Sequence, residues 1–116
     1  MRLWFVETLV FTRRIDRLGL EEDLRRLQAA LLANPEAGAT DPGTGGLRKV
    51  RMAASSRGKG KRSGARVHYL WLPPHGVVYL LFVYGKDELD ALEPARKKQL
   101  KRVVEQIKAE WGRGRG

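Results

Sequence analysis

The sequence predicts an α+β domain in which two early helices lie on a sheet built mainly from the middle of the chain. Three observations carry that prediction. Apolar residues recur at helical spacing in two early stretches and again near the end, strand-like runs fill most of residues 47 to 84, and glycine and proline clusters separate these segments. A chain of 116 residues suits one domain, large enough to bury a core without covalent staples.

The elements follow in order. Leu3-Trp4-Phe5-Val6 is short, β-branched and aromatic, as a first strand should be. Thr8 caps a helix whose apolar positions Phe11, Ile15 and Leu18 fall at i, i+4 and i+7, and Gly19 stops it. Leu20, Leu24, Leu27 and Leu31 continue at helical spacing in a second helix. Its first turn holds Glu21, Glu22 and Asp23 at the positive end of the helix dipole, and Asn34-Pro35 ends it. The two helices form a hairpin on one face of the sheet.

Gly38 to Gly46 contains Asp41-Pro42-Gly43 and Gly45-Gly46 and has no periodicity, so it reads as a turn-rich connection. Its glycine spacing fits neither the P-loop nor the dinucleotide fingerprint. Leu47 to Ala53 is a strand, Ser55 to Gly64 a loop, and Ala65 to Leu72 and Val77 to Tyr84 are long strands joined at Pro73-Pro74-His75-Gly76. That junction is a hairpin turn, which makes the last two strands antiparallel neighbours. After Pro94, a final helix carries Leu100, Val103, Val104, Ile107 and Trp111 as an apolar stripe, with Arg96, Lys97, Lys98, Lys101, Arg102 and Lys108 around it. The stripe is expected to pack on the domain or a partner, with the basic side in water. The domain spans residues 1–111, and residues 112–116 are a Gly-rich tail.

The formal charge of +10 is unevenly spread. Residues 1–46 carry six basic and seven acidic groups, 47–68 eight and none, 69–95 one and four, and 96–116 eight and two. A basic zone beside a neutral one points to a polyanionic partner, either nucleic acid or an acidic protein. The chain has no cysteine, which excludes disulfides and a zinc ribbon. Its longest apolar run, Val77 to Tyr84, is far short of the roughly 20 residues a membrane span needs. A soluble cytoplasmic protein is expected.

The basic zone is strand-borne. Alternation puts Lys49 and Arg51 on one face, with Val50 and Met52 on the other, and puts Arg66 and His68 together, away from Val67, Tyr69 and Trp71. The loop cations Arg57, Lys59, Lys61 and Arg62, like Arg48 beside them, suit phosphate contacts; a solvated loop tip is the plainer reading of the same segment. His68 reads either as a hydrogen-bonded packing residue or as part of an RNA surface. With two histidines, no cysteine and no ligand spacing among Asp87, Glu88 and Asp90, neither metal nor other cofactor is expected, and no serine lies in a nucleophile elbow.

RNA cleavage needs none of these. The ribose 2′-OH is an internal nucleophile, and a protein must add in-line positioning, stabilisation of charge on the phosphate oxygens and a route for the proton. Arginine and lysine can supply the first two, and a lysine among other cations can supply the third, because like charge disfavours its protonated form. Lys49 beside Arg51, with Arg66 on an adjacent strand, is such a cluster, although a face that merely binds phosphate would look the same.

Several motifs in order resemble the RelE/ParE toxin superfamily, in particular its HigB-like branch. They are Asn34-Pro35-Glu36-Ala37-Gly38, Pro42-Gly43-Thr44-Gly45-Gly46-Leu47-Arg48-Lys49-Val50-Arg51, Gly64-Ala65-Arg66-Val67-His68-Tyr69, and Tyr79-Leu80-Leu81 with Tyr84-Gly85-Lys86-Asp87-Glu88. The resemblance spans nearly the whole chain. It implies a RelE-like α+β fold, two N-terminal helices on an antiparallel sheet with a C-terminal helix, and the toxin of a type II toxin–antitoxin pair that cuts mRNA on the ribosome. The implied partners are the ribosome with its mRNA and an antitoxin, usually one with a helix-turn-helix domain. The implied catalytic positions are Lys49 as base or charge stabiliser, Arg51 and Arg66 as phosphate clamps, and Lys86 as phosphate or leaving-group contact, with Tyr84 able to stack on a base. In the RelE branch an arginine follows the Gly-Lys pair and a tyrosine comes soon after. Here Asp87 follows Lys86 and residues 88–95 hold no tyrosine, which leaves the proton donor open. A ParE-like inhibitor of DNA gyrase and a noncatalytic basic RNA-binding domain are the other classes compatible with these residues.

Overall fold

In the computed structural model, which describes residues 2–53 and 64–115, the chain runs β1 (Trp4–Glu7), α1 (Leu9–Leu18), α2 (Glu21–Ala33), β2 (Ala39–Thr40), β3 (Arg48–Met52), β4 (Ala65–Leu72), β5 (Val77–Gly85) and α3 (Pro94–Arg115). The result is an α+β domain: three helices on one five-stranded sheet of order β1-β5-β4-β3-β2. No helix among the described residues is long and apolar enough to cross a membrane.

Local chemistry sets the helix ends. The Thr8 hydroxyl accepts the Phe11 N–H at 3.1 Å, and Gly19 at φ 69° lets the chain leave α1 in a left-handed turn that a side chain would strain. Phe11 and Ile15 of α1 and Leu24, Leu27 and Leu31 of α2 are buried against Val67, Tyr69, Val78, Leu80 and Val83, so the helical hairpin covers one face of the sheet. Each such large apolar side chain contributes roughly 1.5–3 kcal/mol. On the opposite face Leu100, Val104 and Ile107 of α3 pack on Leu47, Leu70, Leu72, Leu81 and Phe82. At the far end of α3 the Trp111 indole donates to the Tyr79 hydroxyl at 2.9 Å.

Three features depart from the sequence reading. The sheet is mixed, because β1 runs parallel to β5, with Trp4 opposite Val77 and Glu7 opposite Leu80. The α1–α2 hairpin carries the chain from one sheet edge to the other, and β5 then closes beside β1 in the same direction. Alternation within a strand says nothing about its neighbour's direction. Second, Ala39 and Thr40 form β2, paired to Lys49 and Arg48, inside a stretch read as pure connection; two residues are too few for a period to show. Third, α3 stays helical past Trp111 to Arg115. Glycine in a helix costs about 1 kcal/mol, and the long preceding helix tolerates it.

One irregularity decides which side chains of β5 share a face. Between β4 and β5 the register passes from His68↔Phe82 to Tyr69↔Leu80, leaving Leu81 as an extra residue in β5. Leu81 and Phe82 therefore both face α3, and from there onward Tyr84 shares the face of Arg66.

Candidate functional site

Register builds the site. Arg51, Arg66 and Tyr84 form one cross-strand row over β3, β4 and β5, and Lys49, His68 and Phe82 form the next. Side chains paired in this way lie on the same face, here the one that also carries α3. The structure thus brings Lys49, Arg51 and Arg66 together on a rigid sheet. Two arginines placed directly opposite each other repel, a cost that packing alone would not select. Lys49 and Arg66 are half-buried and Arg51 is exposed. Lys86 lies just past β5, where its N–H donates to Gly64 O at 2.8 Å, and its side chain is exposed. Among the described residues none of these four cations is in an ion pair.

The floor of the site is unsaturated. Among the described residues, Arg66 Nη1, His68 Nδ1 and Tyr84 Oη are buried without a hydrogen-bond partner. Buried polar atoms are nearly always paired, so three orphans on adjoining register positions mark a place where packing was not the governing requirement. Tyr84 itself is fully buried, which leaves no ring face open for stacking on a base, and burial pushes its hydroxyl pKa above 10.0 despite the Arg66 charge.

Beside this floor lies a polar group of the opposite kind. Asp41 Oδ2 is 2.7 Å from His68 Nε2, and Asp41 Oδ1 accepts from Lys97 Nζ of α3 at 3.1 Å. The glycine-rich stretch is what aims Asp41. Its N–H donates to Leu47 O at 2.9 Å, its carbonyl accepts the Thr44 hydroxyl at 2.6 Å, and Gly43 and Gly45 take positive φ of 84° and 79° to close the loop. A Cβ on Gly45 would lie 3.2 Å from Lys101 Cγ, so α3 packs directly on this loop. Lys97 and Lys108 also donate to Pro42 O and Gly45 O. Part of the basic side of α3 is therefore spent on the loop instead of on water.

Titration follows from this geometry. Burial alone would raise the Asp41 pKa, but the hydrogen bonds from His68 and Lys97, with their charges, hold it below 3.8. Burial pulls His68 below 6.5 by more than Asp41 can restore, and Lys49 and Lys97 push it the same way. At neutral pH His68 is uncharged. Its Nε2–H donates to Asp41, and its Nδ1 is left as an acceptor.

The other expected positions fall elsewhere. Arg48 turns to the opposite face, where its guanidinium donates to Glu36 O at 3.2 Å and Gly38 O at 2.6 Å and ties the α2–β2 connection to β3. His68 is fully buried and offers no surface. Arg57, Lys59, Lys61 and Arg62 lie outside the described residues. Sequence reasoning missed Asp41 and Lys97. Their only signals were a turn aspartate and one lysine among many, and the contacts span 27 and 56 positions. Among the described residues no group of three or more His, Cys, Asp or Glu side chains is placed to hold a metal ion. No protein-family model matches the chain.

Proposed function

We propose that the protein is a toxin of a type II toxin–antitoxin system, of the RelE/ParE superfamily and its HigB-like branch, which cleaves mRNA on the ribosome and so stops translation. The observation that carries this reading is the row of Arg51, Arg66 and Tyr84 beside Lys49, in which, among the described residues, the cations have no counter-charge and Arg66 Nη1 and Tyr84 Oη have no hydrogen-bond partner. A scaffold protein gains nothing from that arrangement, whereas a phosphodiester supplies what it lacks.

In the reaction the ribose 2′-oxygen attacks phosphorus, the P–O2′ bond forms, the P–O5′ bond breaks and a 2′,3′-cyclic phosphate results. Arg66 and Arg51 hold the non-bridging oxygens as charge grows on them. Lys49 takes the 2′-OH proton or stabilises the alkoxide, and Lys86 contacts the phosphate or the departing O5′, which acquires a proton. The work is cytoplasmic in this reading. The ribosome presents the strand, and an antitoxin, expected to carry a helix-turn-helix domain, silences the enzyme.

The test is brief expression in growing cells with mapping of RNA 5′ ends and of DNA breaks. Cuts within translated codons are expected. DNA breaks without RNA cuts would favour a gyrase inhibitor, and neither signal would leave a basic RNA-binding domain.

A further inference from the structure

The cationic rows suit phosphate but offer no place for a base, because Tyr84 is buried and leaves no ring face open. A cavity beside them offers one. It measures about 340 Å³, lies between α1, the turn after β5 and the first turn of α3, and is lined by Arg14, Phe82, Glu88, Leu89, Glu93 and Arg96. Phe82 ends the row that begins with Lys49 and His68, so the cavity stands at the β5 side of the cationic rows and on the same face of the sheet. Lys86 is in the same turn as Glu88. From β3 to β5 is two strand spacings, about 10 Å, a span that a phosphate and the base of the adjoining nucleotide cover.

The lining selects the occupant. Arg96 is exposed and its guanidinium lies over the Phe82 ring, 4.6 Å from the centre. A planar cation seated on a ring presents its outer face to a base, as arginines do in binding single-stranded RNA. One wall is fixed before any ligand arrives: Arg14 donates to Val83 O and to Glu88 Oε1, and Glu88 Oε1 also accepts the Gly85 N–H at 2.8 Å. The other wall is not. Glu93 is exposed, Arg96 bonds Gln99 at 3.2 Å, and among the described residues neither Glu93 nor Arg96 is in an ion pair, although they share the cavity. A free carboxylate beside a stacking plane asks for donors on the edge of the base. Of the RNA bases guanine alone presents two adjacent donors, N1–H and N2–H, and its O6 and N7 accept from cations. We propose that this cavity holds a guanine of the mRNA next to the cleaved phosphate, with its ring on the Arg96 plane and its N1–H and N2–H on Glu93. The inference rests on the cleavage reading for the strand it serves, and it makes the enzyme cut preferentially beside guanine.

The test titrates the full chain with the four nucleoside 5′-monophosphates of RNA and reads backbone amide shifts. All four are expected to move Lys49, Arg51 and Lys86 through the phosphate. GMP is expected also to move Phe82, Leu89, Glu93 and Arg96, and to bind at least about tenfold tighter than AMP, CMP or UMP. Glu93→Gln should erase the preference for GMP over AMP, since a carboxamide suits the adenine edge, and Arg96→Gln should weaken GMP binding, whereas Glu105→Gln should change nothing. The proposal is overturned by no GMP binding, by four nucleotides bound alike, by GMP shifts confined to the cationic rows, or by an unaltered preference in Glu93→Gln. Failure of the wild type to cut RNA would sink the enzymatic reading and leave a selective GMP signal standing. Cuts mapped in cells with no guanine beside them would sink this inference and leave the cleavage reading intact.

Discussion

On the α3-facing side of the sheet two polar groups lie within one or two residues of each other and are built in opposite ways. Around Asp41 both carboxylate oxygens are engaged, by His68 at 2.7 Å and Lys97 at 3.1 Å, and the loop behind them is closed by its own hydrogen bonds. Around Arg66 the reverse holds: like charges face each other across the strands, and among the described residues Arg66 Nη1 and Tyr84 Oη have no partner. Satisfied polar groups hold a fold together, whereas unsatisfied ones lower its stability and are kept where a ligand completes them. The first group is thus read as structure and the second as the site of the proposed cleavage, and His68 adjoins both through its two ring nitrogens.

The largest expected effect breaks the pair apart by activity. Arg66→Ala should lower the cleavage rate about a hundredfold or more, roughly 3 kcal/mol of transition-state stabilisation, while leaving the unfolding midpoint equal or slightly higher, since no hydrogen bond of Nη1 is lost. Growth arrest at the wild-type dose by a variant shown to be folded would remove Arg66 from the site. Asp41→Ala should do the converse. It strands a buried imidazole donor and a lysine, and a loss of about 2–3 kcal/mol is expected in denaturant unfolding. An unchanged midpoint would mean that the contact between loop and α3 does not depend on this carboxylate.

A pH series sharpens the comparison further. His68 has its folded pKa below 6.5, so between those two values the unfolded chain binds the proton and the folded one does not. Stability should therefore be full above pH 6.5 and fall as the pH drops toward the folded value. Asp41, held below 3.8, adds stability that is present above 3.8 and is lost in stronger acid. His68→Gln should erase the first decline and keep the second, and a variant with the wild-type slope between pH 6.5 and 4 would contradict the neutral-imidazole assignment. The smallest effect is a control outside both groups: Thr8→Ala removes the α1 cap and should cost about 1 kcal/mol without changing the acid profile.

Much of the scaffold was legible in order. The cap at Thr8, the stop at Gly19, the helical hairpin and the α3 stripe follow from spacing and local hydrogen-bonding demands, which act over a turn or two and leave their mark in adjacent residues. So were the pairing of Lys49 with Arg51 on one face of β3 and of Arg66 with His68 on one face of β4, because alternation within a strand is rigid, while the β3–β4 register put the two pairs on the same face. Asp41 was not legible, since a turn aspartate looks the same whether it faces water or a buried histidine. Nor was the burial of Tyr84, because one extra residue at Leu81 shifts its face, and nothing in a run of apolar residues announces where a bulge will fall.

By itself, then, the order of residues determined which segments are helix or long strand and that a concentrated positive charge would be displayed on strands. These are short-range matters of periodicity and composition. The tertiary structure alone decided that β1 lies parallel to β5, that Leu81 bulges, that Arg48 is drawn to the far face and that Asp41 reaches His68 and Lys97. Each of those depends on which distant segments compete for the same space and the same hydrogen bonds, a choice settled by packing the whole chain at once.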